Sequence, residues 1–148
     1  MDDLERLLAE RACERLMFTY AELIDSGNAG QVPELFADDG VFEIAGQAPV
    51  EGRVALAESF ARRQALDRRS RHVITNPLVD VLAPDAATGS CAVLVFNADG
   101  VPEGEVGPLD GARVVGRYVD SYRRTFDGWR IASRRLHIDF RPPVTPGV

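Results

Sequence analysis

The stretch DDLERLLAERACERLMFTYAELIDSGN, residues 2–28, decides how the rest of the chain must be arranged. Leu4, Leu7, Leu8, Leu16, Met17, Tyr20, Leu23 and Ile24 recur at spacings of three and four behind an acidic start, which predicts one amphipathic helix over residues 2–25. It stops at Asp25-Ser26-Gly27-Asn28, where serine, glycine and asparagine favour non-helical geometry. A helix of that length with one apolar stripe needs a broad apolar surface to lie on.

The following sequence supplies it. Gln31–Phe36 reads as a short second helix ending at Ala37-Asp38-Asp39-Gly40, and Val41–Ala45 as a strand. Arg53–Asp67 repeats the helical period through Leu56, Phe60, Ala61 and Gln64. From Ser70 the pattern becomes extended: Arg71–Leu82, Thr88–Asn97, Ala112–Phe126 and Trp129–Phe140, with Asp127-Gly128 a hairpin signal between the last two. Helices first and long strands afterwards predict an α+β domain, its helices packed on one face of a strongly curved sheet. Residues 1–140 form this single domain, and 141–148, with three prolines, read as a loose tail. The loop Asp99–Gly111, with four glycines and two prolines, is too long for a tight hairpin.

Composition narrows the function. The formal charge of −6 leaves no basic face for phosphate neutralisation, so nucleic acid is not an expected partner. Arg62, Arg63, Arg68, Arg69 and Arg71 read first as a solvated helical face and second as a patch for an acidic ligand. No apolar run approaches the length of a membrane span, and the start lacks the basic-then-apolar pattern of a signal peptide; the expectation is a soluble, cytoplasmic protein without a membrane partner. Cys13 and Cys91 stand outside any paired framework, which fits two buried thiols in a reducing compartment. All seventeen basic residues are arginine, so Schiff-base lysine chemistry, pyridoxal phosphate attachment and a phosphate-loop lysine are excluded together. No metal-ligand spacing or dinucleotide fingerprint is present; the expectation is no cofactor and no metal.

Histidine is scarce: only His72 and His137 occur. Strict alternation places His72, Ile74, Asn76, Leu78 and Asp80 on one face, so that an imidazole and a carboxamide would point together into an apolar hollow, while a core or edge histidine bonded to backbone is the plainer reading. His137 shares by the same parity a face with Ile131, Ser133, Arg135 and Asp139 and reads as structural. Asp25 places a carboxylate at the negative end of a helix dipole, unfavourable by about 0.3–1 kcal/mol, which a sequence shaped for stability alone would not prefer. Tyr20 lies on the apolar stripe with Met17 and Ile24, and a buried phenol needs a hydrogen-bond partner.

Several stretches together carry a resemblance: Tyr20-Ala-Glu-Leu-Ile-Asp25-Ser-Gly-Asn, Leu35-Phe36-Ala-Asp38-Asp39-Gly-Val-Phe42, Gly52-Arg53, Arg71-His72-Val-Ile-Thr-Asn76, Tyr118-Val-Asp-Ser-Tyr122 and Asp127-Gly-Trp129-Arg-Ile131. From about Leu4 to Arg135 the chain resembles the nuclear transport factor 2-like superfamily in its SnoaL-like branch. The resemblance implies a cone-shaped α+β barrel. It also implies, from the scytalone-dehydratase-like and bile-acid-7α-dehydratase-like members, a His–Asp pair formed by His72 and Asp25 with Tyr20 beside it. Asn76, Phe42 and Met17 are assigned to the substrate-facing wall. The related dehydrochlorinase carries lysine where this chain has Tyr20, which favours loss of a hydroxyl over loss of halide. The implied function is a cofactor-independent lyase of dehydratase type, or an isomerase, acting on an apolar cyclic hydroxylated small molecule of polyketide or steroid-like kind. The alternative is a small-molecule-binding or assembly protein of the same fold without catalysis. A homodimer through the outer sheet face is expected, because Val114, Tyr118 and Tyr122 alternate with Val115 and Val119, making both faces apolar.

Overall fold

The structure is a computed structural model that describes residues 1–143. Of the expected tail, residues 141–143 carry no helix or strand, and 144–148 lie outside the described residues.

Helix α1, Asp3–Asp25, is closed at both ends by its own sequence. At the start, Asp2 Oδ1 accepts the Glu5 N–H at 2.7 Å and Glu5 Oε2 accepts the Asp2 N–H at 2.8 Å, a reciprocal capping box. At the end, Gly27 takes φ +81°, its N–H reaches the Ile24 carbonyl at 3.2 Å and the Asn28 N–H reaches the Leu23 carbonyl at 2.7 Å. This is a Schellman termination, which needs the left-handed residue that glycine supplies without strain. The helix buries Ala9, Cys13, Leu16, Met17, Tyr20, Ala21 and Ile24, whereas Leu4, Leu7 and Leu8 are exposed. The predicted apolar stripe therefore contacts the sheet only from Ala9 onward.

A 3-10 segment, Ala29–Leu35, follows and ends sooner than the predicted short helix. Strand β1 then runs Phe36–Ile44, through the acidic stretch expected to be a turn. Its pairing with the last strand is irregular between Phe36 and Val41, so Asp38 and Asp39 sit exposed within an interrupted ladder. The remaining elements are β2 Val50–Glu51, α2 Gly52–Gln64, β3 Arg68–Ala83, β4 Ala86–Asp99, β5 Val114–Thr125 and β6 Gly128–Phe140. They form one six-stranded sheet in the order β2-β1-β6-β5-β4-β3, antiparallel throughout except for the parallel β1–β6 pair. The mixed sheet curls around α1, which packs on β3, β6 and β4, while α2 closes the side against the 3-10 segment and β1. The result is the predicted α+β cone. Among the described residues, no helix is long and apolar enough to cross a membrane.

Two bulges decide which side chains enter the cone. On β3, Thr75 faces Ala92 and Leu78 faces Ser90, three steps against two, and Asn76 has φ +52°. The extra residue inverts the alternation: His72 and Ile74 face inward before it, Val79 and Val81 after it, and Asn76 and Leu78 are exposed. Pro77, which has no N–H to offer the ladder, sits in the bulge. On β6, Ser133 pairs with Ser121 and Ile131 with Tyr122, so one extra residue is accommodated at Ala132. Ile131 and Arg134 both turn inward as a consequence, and His137 lies outward with Ser133 and Arg135 rather than sharing a face with Ile131.

Candidate active site

The last residue of α1 meets the first inward residue of β3. Asp25 Oδ1 lies 2.6 Å from His72 Nδ1, and Asp25 Oδ2 accepts the His72 backbone N–H at 2.8 Å. One carboxylate thus grips both the ring and the chain that carries it. Both side chains are nearly buried, at 5% and 7% exposure, and Arg71 Nη1 approaches the outer carboxylate oxygen at 4.0 Å. The Asp25 acceptor assigns the proton of neutral His72 to Nδ1, which leaves the Nε2 lone pair free. Two bonds from His72 compensate the helix-dipole cost of a carboxylate at this end of α1, which has no basic residue in its last turn.

His72 lines a cavity of about 260 Å³ inside the cone. Its apolar wall comes from Ile24, Phe42, Ile44, Phe60, Val95, Val114 and Leu136, and its polar groups from Tyr20, Ser59, Arg63, Asn97 and Tyr118. The aromatic rings lock one another: Tyr20 stands edge-on to Phe60 at 6.0 Å and to Tyr118 at 5.5 Å, and Phe42 lies 5.5 Å from Phe60.

Beneath the tyrosines lies a buried ion pair that the sequence reading missed. Arg134 donates Nε to Asp120 Oδ1 at 2.9 Å and Nη2 to Asp120 Oδ2 at 2.6 Å, both side chains having no exposure. Its guanidinium carbon sits 4.4 Å from the Tyr20 ring centroid and 4.3 Å from that of Tyr118. Arg134 Nη1 has no hydrogen-bond partner among the described residues and faces these π systems instead. Tyr122 donates its hydroxyl to Asp120 Oδ2 at 2.5 Å. Burial works against the Arg134 charge, but Asp120 outweighs it and holds the guanidinium above its ordinary value. Burial also pushes the Tyr20 phenol up to about 12, with Arg134 opposing, so Tyr20 is a protonated donor at neutral pH. Tyr118 is pushed well above its usual value, again by burial first and the neighbouring Tyr20 second.

Of the residues expected from the sequence, His72, Tyr20 and Phe42 line the cavity, and Asp25 stands behind His72. Two others lie elsewhere. Asn76 is exposed, turned out by the bulge, with its Oδ1 accepting from Thr75 Oγ1 at 3.0 Å. Met17 is fully buried behind the cavity, where a Cβ added at Gly89 would approach its Cε to 2.9 Å. It packs α1 onto β4 at the one place where the strand has no side chain. The carboxamide in the cavity belongs to Asn97 of β4. Alternation with Tyr118 and Tyr122 was the signal that could have found Asp120; no such signal existed for Arg134, because the bulge at Ala132 is not written in residue type. Among the described residues, no group of three or more histidine, cysteine or acidic side chains is placed to hold a metal.

A curled mixed sheet wrapped on one long helix is the architecture of the nuclear transport factor 2-like class. The chain belongs to the SnoaL-like domain family, whose pattern matches residues 5–135. It is similar to an NTF2-like protein with a cystatin-like fold from Novosphingobium aromaticivorans, 31% identical over 90% of this chain and 84% of that one, TM-score 0.73. A variant of a protein of unknown function from Mycobacterium tuberculosis is 29% identical over 94% and 77% of the two chains, TM-score 0.73. The fold is shared with a hexachlorocyclohexane dehydrochlorinase from Novosphingobium barchaimii, 18% identical over 97% and 94%, TM-score 0.77.

Proposed function

We propose that the protein is a cofactor-independent lyase of dehydratase type, or an isomerase using the same first step, acting on an apolar cyclic hydroxylated small molecule. The observation that carries this reading is the His72–Asp25 pair, with Nδ1 committed to the carboxylate and Nε2 left for the cavity. In the proposed step His72 Nε2 takes a proton from carbon while Asp25 stabilises the imidazolium. The C–H electron pair becomes the new carbon–carbon π bond as the C–O bond to the departing hydroxyl breaks, and that hydroxyl leaves as water with the proton of Tyr20. The imidazolium proton then returns to the Tyr20 phenolate. In the isomerase variant no C–O bond breaks, and Tyr20 donates to an enolate oxygen instead. The likeness to a dehydrochlorinase, an enzyme that by its name eliminates from a cyclic substrate, supports elimination as the reaction type. Tyr20, held as a neutral phenol, suits hydroxyl loss.

Wild-type protein and His72→Gln are to be incubated in heavy water with a panel of cyclic β-hydroxyketones, following hydrogen exchange and water loss at the carbon next to the carbonyl by NMR. Exchange or elimination in the wild type and its loss in the variant support the reading. Equal behaviour of the two, with a retained ligand seen by native mass spectrometry, replaces it by the small-molecule receptor. A homodimer across the outer sheet face is part of the proposal: on β5, Val115 points outward opposite Leu94 of β4 and Val119 opposite Ser90. Sedimentation at micromolar concentration tests it.

A further inference from the structure

The polar groups at one side of the cavity are chained in a fixed direction. Arg63, in the last turn of α2, donates Nη2 to Ser70 Oγ. Ser70, a buried residue, donates its own proton to Asn97 Oδ1 at 2.9 Å. A guanidinium can only donate, so Ser70 Oγ accepts from Arg63, and with its single proton given to Asn97 Oδ1 the Asn97 NH2 is turned away from it. What the chain leaves over is therefore a set of donors: the remaining N–H groups of Arg63 and the NH2 of Asn97.

No carboxylate pairs with Arg63 among the described residues. The arginines around it are taken up elsewhere, Arg68 by Asp99 at 2.7 Å, Arg71 by Asp25 at 4.0 Å and Arg69 by the carbonyls of Pro102 and Glu105. Burial first and the Arg68 charge second pull the Arg63 guanidinium below its ordinary value, the behaviour of a cation short of counter-charge. Both Arg63 and Asn97 line the cavity that His72 lines. Size sets what the cavity itself encloses: an apolar cavity of about 150 Å³ accepts benzene, so one of about 260 Å³ encloses one substituted ring or a small bicycle.

We propose that Arg63 and Asn97 bind a carboxylate carried by the substrate, which makes the substrate class a one- or two-ring carboxylic acid. The inference deepens the lyase reading and rests on it for the word substrate: the acid group is anchored at Arg63 while another carbon of the ring meets His72. A carboxylate supplies acceptors only, which is what two donor groups of fixed orientation lack. Held there, it neutralises the Arg63 charge, which the carboxylates of Asp25 and Asp99, neither bonded to it, offset only in part.

The test reads binding, not turnover. Benzoate and 1-naphthoate are titrated against the full chain by calorimetry and by NMR of the isotope-labelled protein, beside the neutral analogues benzyl alcohol and 1-naphthalenemethanol. The carboxylates are expected to bind about tenfold or more tightly than the alcohols, the scale of one charge-assisted hydrogen bond. Arg63→Met is expected to abolish that preference. Asn97→Asp keeps the acceptor for Ser70 and replaces the donor by a negative oxygen, so it tests the same site with the internal chain intact; it is expected to abolish carboxylate binding, with thermal unfolding checked in parallel. Equal affinity for acids and alcohols in the wild type, no carboxylate binding at millimolar concentration, or a preference that survives Asn97→Asp overturns the proposal. Because no step of the measurement needs His72 to take a proton, failure of the lyase reading and failure of this one are seen separately.

Discussion

The cone holds two buried carboxylates, each bonded to one nitrogen-bearing side chain, with opposite economy. At the floor, Asp120 spends both oxygens on Arg134, accepts Tyr122 as well, and the guanidinium is sandwiched between two aromatic rings with no exposure. Nearer the mouth, Asp25 spends both oxygens on His72, yet the imidazole keeps one nitrogen uncommitted beside an open chamber. The floor pair fixes structure because its hydrogen-bonding capacity is used internally. The mouth pair has capacity left for chemistry. Substitutions should therefore separate stability from turnover.

The largest effect is expected at the floor. Arg134→Met or Asp120→Asn leaves the other charge, or its polar remnant, buried without a partner, which costs about 3–5 kcal/mol. That is a large share of the stability of an ordinary domain, typically about 5–15 kcal/mol. Chemical denaturation should show it as a lower midpoint at constant slope. Replacing both together, Arg134→Met with Asp120→Leu, should recover much of the loss, since the desolvation of two charges disappears with them. Recovery would sharpen the contrast; its failure would mean that the tyrosine sandwich itself needs the cation.

At the mouth the readout changes. Asp25→Asn presents an amide N–H or an amide oxygen to His72 Nδ1, and when the amide donates, the imidazole proton moves to Nε2 and the base is lost; a comparable tautomer error lowers turnover by about 10⁴-fold. His72→Gln removes the base outright, a loss of about 10²–10⁴-fold. Asp25→Asn should unfold close to the wild-type midpoint, because removing the Asp25 charge also relieves its conflict with the α1 dipole, whereas His72→Gln keeps that buried charge and should unfold somewhat earlier. Tyr20→Phe keeps the ring over Arg134 and removes only the donor, which should cost about 10²–10³-fold in turnover. With the phenol held near 12, no alkaline loss of activity below about pH 11 should come from Tyr20 itself, so a limb that persists unchanged in Tyr20→Phe belongs to another group.

How far the sequence revealed this arrangement depended on how regular each segment was. Helix α1, its stop at Gly27 and the four late strands were legible because period and turn chemistry agreed over long runs. The second half of the first strand was legible at Val41–Ile44, but its first half was not, since Ala37-Asp38-Asp39-Gly40 has the composition of a turn and becomes strand only beside β6. Asp25 and His72 were visible as candidates from the helix-end conflict and from the scarcity of histidine; their contact depends on how α1 crosses β3, which no local pattern encodes. His137 and Asn76 were grouped with the wrong neighbours for one shared reason. Each is reached by counting alternation through a bulge, and a single uncounted residue inverts every side chain beyond it.

Asn76 offers the smallest effect and the cleanest separation of the two readings of that face. Asparagine is among the few residues besides glycine that tolerate a left-handed backbone, and here φ is +52°. If its place is owed to the bulge, Asn76→Gly should be nearly neutral, the relief of strain offset by the greater freedom of glycine in the unfolded chain. Asn76→Val puts a β-branched side chain at positive φ and should cost about 1–3 kcal/mol. Neither should alter turnover or ligand affinity beyond the fraction of protein unfolded, because the carboxamide points to solvent and the cavity carries Asn97 instead. A fall in affinity for Asn76→Gly at unchanged stability would return Asn76 to the substrate wall and would mean that the β3 bulge shifts its register when ligand binds.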